Sequence, residues 1–269
     1  MDVTESSEST GLKRLDESIL RLGDIVLTTT TAAISSAIRF ATRSDISHAM
    51  IYVYKCSVID ATSEGVHARN TQRLFLDEKC AAYVLRLREN ISREQVAAVV
   101  EYARARIGTQ YSSTEAVMTA VGGAPKWSDK QFCSRLVAQA FASAGILLVP
   151  DPNFCSPADL QRSELLEPVA SATTVVTVEE TDWWKTREDV PQLMRDAINF
   201  VLDGARARDS NIQNFDDLHD YLVRHPSADD EFCSLLEASG YLTVWLVERD
   251  KNAWQYDLEL MLAAPAELS

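Results

Sequence analysis

The spacing of apolar positions changes near residue 90. Before it, short runs of β-branched, aromatic and aliphatic residues stand between polar breaks. They are Asp24–Thr28 (DIVLT, opened by Gly23), Ser47–Tyr54 (SHAMIYVY), Ser57–Thr62 (SVIDAT), Gly65–Ala68 and Ala82–Leu87 (AYVLRL). This pattern predicts about five short strands. One stretch in the same half, Thr31–Thr42 (TAAISSAIRFAT), has helical spacing instead.

After residue 90 the period is helical. Ser92 precedes REQVAAVVEYARARIG, with Gln95 three residues on, the pattern of a capping box, and Gly108 closes the segment. Ser113–Val121 predicts a second short helix, stopped by Gly122 and Gly123. A third, capped by Ser128 or Asp129, runs through CSRLVAQAFASAG to Gly145. Pro150, Pro152 and Pro157 then interrupt the chain, and Ser156–Leu160 (SPADL) reads as a short capped turn with Pro at its first position. Further helices are predicted at Pro191–Arg208, Asn214–Arg224 and Ala228–Ser239, while Tyr241–Val247 reads as either strand or helix. Met1–Gly11 reads as a loose tail.

A length of 269 residues suits one large domain or two small ones. With 46% hydrophobic residues the chain can build a core without disulfides or structural metals. The net charge of −14 argues against nucleic acid and against anionic membrane surfaces. That charge is unevenly placed. From Val176 to Ser269 there are 8 Lys and Arg against 20 Asp and Glu, so the preceding part is nearly neutral. The sequence therefore predicts a tail over 1–11, a catalytic domain over 12–175 and an acidic helical region over 176–269, with the boundary near 170–185. No apolar run reaches the 18 or so residues of a spanning helix, and the acidic, Ser-rich start has no signal-peptide pattern. The expectation is a cytoplasmic protein, or one exported without a cleaved signal.

The five cysteines are odd in number and widely spaced, with no CxxC, which argues against a zinc site or a disulfide framework. Any one of them is most simply a small buried hydrophobe. Cys133 differs by its place in KQFCSRLV, in the first turn or so of a predicted helix. There the free backbone N–H groups and the helix dipole favour an anion, and a thiolate is one. The same groups can receive an oxyanion. A thiolate nucleophile needs a base, and His48, at the start of a predicted strand, fits. Asp60, inside the apolar Val58–Ala61, requires a partner, which an adjacent imidazole supplies. Among the remaining candidates, His67 reads as a strand surface residue, Cys155 as structural, Trp183 and Trp184 as core packing, and His219 and His225 as solvated.

These pieces, in order, resemble the circularly permuted, YiiX-like branch of the NlpC-type papain-like superfamily. They are GDIVL at Gly23–Leu27, an IRFATRS stretch, SHAMIYVY, VIDATSEGV at Val58–Val66, FCSRLVAQAF at Phe132–Phe141 and SPADL. Family members read His-x-Gly-Ile-Tyr, then Ile-Glu-Ala, then Tyr-Cys-Ser-x-Leu-Val. The resemblance spans roughly residues 20 to 165. It implies an α+β fold, with helices packed on an antiparallel sheet, and the roles of nucleophile for Cys133, base for His48 and third polar residue for Asp60. Glu64 is the alternative third residue. Met50 stands where the family has Gly, in a position to crowd the cleft, and Tyr111 stands where relatives often carry Tyr.

The activity implied is that of a cysteine peptidase or amidase, cleaving an amide or ester bond in a peptide, peptidoglycan or lipid-acyl substrate through an acyl-enzyme. No cofactor or metal is expected. The alternatives are an acyltransferase of the lecithin–retinol-acyltransferase type and a non-catalytic binding protein that keeps the fold. A basic protein surface is the partner expected for the acidic region.

Overall fold

The computed structural model describes residues 9–29, 44–121, 128–251, 253 and 256–263. The helix expected at 31–42 and the glycine stop at 122–123 lie outside the described residues. The chain divides after Arg187 into two compact units.

The first unit runs β1 (Ser9–Leu15), β2 (Ile25–Thr28), β3 (His48–Tyr54), β4 (Ser57–Thr62), β5 (Gly65–Asn70), β6 (Leu76–Asp77) and β7 (Ala82–Leu87). There follow α1 (Arg93–Ala105), α2 (Ser113–Ala120), α3 (Cys133–Ser143), α4 (Pro157–Gln161), β8 (Leu166–Pro168), β9 (Thr173–Thr177) and α5 (Val178–Lys185). The strands form a six-stranded sheet of order β5-β4-β3-β2-β7-β8 and a three-stranded sheet of order β6-β1-β9. Every strand pairing among the described residues is antiparallel. This is the expected α+β class.

Alternation along β3 sorts the core. Ala49, Ile51 and Val53 join Val99 and Ala103 of α1 and Leu136, Val137 and Phe141 of α3 in one buried cluster. Met50 and Tyr52 join Leu15 of β1, Val26, Val58 and Val84 in another. Period-two alternation places these clusters on opposite faces of the large sheet. The helices cover one face, and elements around β1 cover the other. Met50 packs into the second cluster, whereas Cys133 belongs to the first.

The capping signals behave as expected at two helices. Ser92 and Gln95 form a reciprocal capping box on α1, and Ser156 with Asp159 does the same on α4, where Pro157 occupies the first turn. The boundary differs from expectation at both ends. Ser9–Gly11, expected in the tail, already lie in β1. Residues 176–187, expected to open the acidic region, fall in the first unit: β9 is bonded to β1, and the Thr177 side chain caps α5.

The second unit comprises α6 (Val190–Arg206), α7 (Phe215–Arg224), α8 (Asp229–Ser239), α9 (Val244–Lys251) and α10 (Leu258–Ala263). The Tyr241–Val247 segment resolves as a turn leading into α9. Ala197, Val201, Leu202 and Ala205 of α6, with Leu218 and Phe232, are buried. Part of the acidity has a local reason. Asp216 and Asp217 open α7, and Asp229, Asp230 and Glu231 open α8, where the positive end of the helix dipole favours carboxylates. Among the described residues no helix is long and apolar enough to cross a membrane.

Candidate active site

Strand register assembles a polar row on one face of the large sheet. Met50 pairs with Asp60, and Asp60 pairs with His67. His48 and Arg69 each lie two residues from those partners, so both reach Asp60 diagonally. The His48 Nε2 lies 2.7 Å from Asp60 Oδ2, and Arg69 Nη1 donates to the same oxygen at 3.0 Å. His67 Nε2 stands 3.6 Å from the other oxygen, Oδ1, which has no hydrogen-bond partner among the described residues. Asp60 is wholly buried, and His48 is 8% exposed. Gly65 shapes the turn into β5. Its φ is +95°, and a Cβ there would meet the Thr109 carbonyl oxygen at 2.9 Å. That close approach ties β5 to the loop before α2, through Val66 N–H donating to Thr109 O.

Cys133 is the first residue of α3 and is 2% exposed. Its side chain is within hydrogen-bonding reach of His48. The expected cap at Ser128 or Asp129 is absent. Phe132 occupies the N-cap position, with no side-chain hydrogen bond to the helix. Ser128 is engaged elsewhere, its N–H and hydroxyl both donating to Glu115. The uncapped start leaves the first-turn N–H groups beside the sulfur, where a helix favours negative charge.

Burial alone would lower the His48 pKa. The hydrogen bonds to Asp60 and Cys133 and the charges of both outweigh it, and the group is pushed up to about 10. Burial would raise Asp60, but His48 above all, then Arg69 and His67, hold its carboxyl well below the usual range. The pair therefore favours an imidazolium flanked by a carboxylate. With Nε2 engaged by Asp60, Nδ1 is the ring nitrogen left to the sulfur. Tyr111 sits close enough for its hydroxyl, raised mainly by burial, to be raised further by charge on Cys133. It is bridged in parallel to Gln131, two residues before Cys133.

The first turn of α3 is held by a buried arginine that sequence reasoning passed over. Arg135 meets Glu115 of α2 with two nitrogens, at 3.0 and 3.1 Å, and donates to the carbonyls of Lys130 and Asn153. Its guanidinium lies against the rings of Phe132 and Phe154. Burial would raise Glu115, but Arg135 and Ser128 bring it below its ordinary value.

Of the two candidate carboxylates, Asp60 is the one brought to His48; Glu64 is exposed in the β4–β5 turn. His67, expected at the surface, is buried because β5 lays it directly opposite Asp60. Trp183 and Trp184 are not core residues. Trp183 is 54% exposed beneath Arg187, and Trp184 is partly covered by Arg73. Cys155 is buried, its thiol donating to Ser134 O at 3.4 Å, and burial raises its pKa. His219 and His225 are exposed, as expected. Among the described residues no group of three or more His, Cys, Asp or Glu side chains is set to hold a metal ion. An apolar groove of about 760 Å³ lies at the far ends of β3 and β7, against α1, and neither Cys133 nor His48 lines it.

A helix opening on a cysteine, packed on β3 and β4 of an antiparallel sheet that supplies a histidine and a carboxylate earlier in the chain, is a permuted papain-like arrangement. The chain belongs to the family described as permuted papain-like amidase enzymes, YaeF/YiiX, C92 family, whose model matches residues 19–195. The family, of hydrolase class, is the expected YiiX-like group; the match does not carry the broader NlpC label. A solved structure described as metalloprotein YiiX from Escherichia coli O157:H7 is 19% identical, over 56% of this chain and 96% of that one, with a TM-score of 0.40. No curated protein matches the chain.

Proposed function

We propose that the protein is a cysteine-dependent hydrolase that cleaves an amide or ester bond through an acyl-enzyme on Cys133. The observation that carries this reading is the 2.7 Å contact of His48 Nε2 with Asp60 Oδ2, which leaves Nδ1 for a sulfur at an uncapped helix start. In this reading the thiolate attacks the carbonyl carbon, and the oxyanion is received by first-turn N–H groups. The imidazolium protonates the leaving amine. His48, now neutral, takes a proton from water, whose oxygen attacks the thioester carbonyl. Asp60 holds the ring and stabilises each imidazolium. Peptide, peptidoglycan and lipid-acyl groups all offer the required carbonyl.

The test is turnover by the Cys133→Ala and His48→Ala variants. Both are expected to lose activity on any substrate the wild type cleaves, with the far-UV spectrum and cooperative melting retained. Full activity in a folded Cys133→Ala variant would remove the nucleophile assignment.

A further inference from the structure

The carboxylate of Asp60 is loaded unevenly. His48 and Arg69 both sit on Oδ2, at 2.7 and 3.0 Å, while Oδ1 is buried with no hydrogen bond among the described residues. His67 Nε2 faces Oδ1 from 3.6 Å, beyond hydrogen-bond distance. Its Nδ1 donates to the Gly65 carbonyl, which only accepts, at 3.0 Å. Arg69 differs from its neighbours in exposure. Its side chain is 36% exposed, on a strand at the edge of the sheet, whereas that of Asp60 is 0% exposed. It can keep its charge and its contact with bulk solvent while touching a carboxylate shielded from that solvent.

In the resting site the His48 imidazolium and Arg69 together compensate Asp60 on Oδ2. The acyl-enzyme is different. The sulfur then carries an acyl group and no charge, and His48 has given up its proton. A fully buried carboxylate without a cation is strongly disfavoured. Among the described residues, Arg69 is then the cation on Oδ2.

We propose that Arg69 is a positioning residue for deacylation, keeping Asp60 ionised and turned toward His48 Nε2 while His48 is neutral. The assignment rests on the acyl-enzyme reading above. In the step it supports, a water proton passes to His48 Nδ1 as the water oxygen bonds to the acyl carbon. Collapse breaks the carbon–sulfur bond, the electron pair returns to Cys133, the carboxylic acid departs and the imidazolium is restored.

The groups facing His48 give the sign of the pH effect. Asp60 on β4 favours its protonated form, as does a charged Cys133 on α3, while Arg69 on β5 opposes it through Asp60. His67 on β5 reaches His48 only through Asp60, and Tyr111 faces the sulfur. Without the Arg69 charge, His48 holds its proton more tightly, and the free base needed for deacylation appears at higher pH.

The experiment uses p-nitrophenyl acetate with the full chain. Release of p-nitrophenolate reports acylation as a burst, and the later steady rate reports deacylation. Arg69→Gln is expected to keep the burst within roughly twofold. Its steady rate at pH 7 should fall about tenfold, and the pH midpoint of that rate should move up by about one unit, the shift that corresponds to a tenfold change. Arg69→Lys keeps the charge and is expected to leave the midpoint in place. A folded Arg69→Gln variant with wild-type steady rate and midpoint would overturn the proposal. So would an Arg69→Lys variant whose midpoint shifts, and this second test stands even where Arg69→Gln does not fold. Turnover with no acetyl-enzyme trapped by acid quench, or acetylation at a residue other than Cys133, would instead remove the acyl-enzyme reading on which the proposal rests.

Discussion

His48 Nε2 meets Asp60 Oδ2 at 2.7 Å across the β3–β4 ladder, two residues out of direct register. The pairing of Met50 with Asp60 makes this diagonal contact possible. It also decides the orientation of the ring, and hence which nitrogen faces Cys133. The catalytic reading therefore depends on strand register as much as on residue type.

Asp60→Asn tests that dependence. The amide keeps the shape of the carboxylate and loses its charge, so an imidazolium at His48 is no longer stabilised and the favoured tautomer changes. A fall in kcat/KM of about 10²-fold or more is expected, as for other triads stripped of their acid. Measurement on a chromogenic ester, beside a melting curve, checks it; a variant within threefold of wild type would contradict the role.

The same pair makes stability depend on pH. His48 is raised from 6.5 to about 10 in the folded chain, burial opposing and Asp60 and Cys133 outweighing it. Its contribution is complete below pH 6.5 and is lost as pH rises toward and through about 10. Asp60 is lowered, so its contribution is present above its ordinary value of 3.8 and is lost as pH falls further. The melting temperature is expected to decline between pH 6.5 and 10, and His48→Gln is expected to flatten that decline. An identical slope in the variant would contradict the assignment.

Much of this site was legible in the sequence. A carboxylate in mid-strand among Val58, Ile59 and Ala61 demands a partner, and strand β3 offered His48. Arg69 and His67 were not legible. In GVHARN the polar positions alternate as an exposed face would, and only the pairing of β5 with β4 places them on Asp60. β1 escaped for a related reason. STGLKRL has weak strand propensity, and its principal partner, β9, lies far along the chain. Glu115 and Arg135 lie 20 residues apart on different helices, and no local pattern joins them.

That buried pair is expected to carry stability more than chemistry. Glu115→Leu leaves the Arg135 guanidinium buried without its carboxylate, and a loss of about 3–5 kcal/mol is expected. Adding Arg135→Met should recover part of it. Denaturant unfolding of the three variants checks both statements; a neutral Glu115→Leu would show that the pair does not anchor α3.

The acidic second unit is proposed to meet a basic protein surface. Association of the full chain with a basic partner protein is expected to weaken steeply between about 50 and 300 mM salt, because exposed charges are screened beyond roughly 8 Å at physiological salt. Salt-independent binding, or none at the lowest salt, would leave the unit's carboxylates with the helix-start role already seen at α7 and α8.

Every catalytic role proposed for His48, Asp60 and Arg69 rests on an acyl-enzyme at Cys133. Rapid acid quench of the full chain during turnover of p-nitrophenyl acetate, followed by peptide mass mapping, tests it directly. One acetyl group is expected, on the peptide bearing Cys133, which forms and decays with turnover and is absent from Cys133→Ala. Turnover without that adduct, or an adduct confined to Cys56, Cys80 or Cys233, would contradict it.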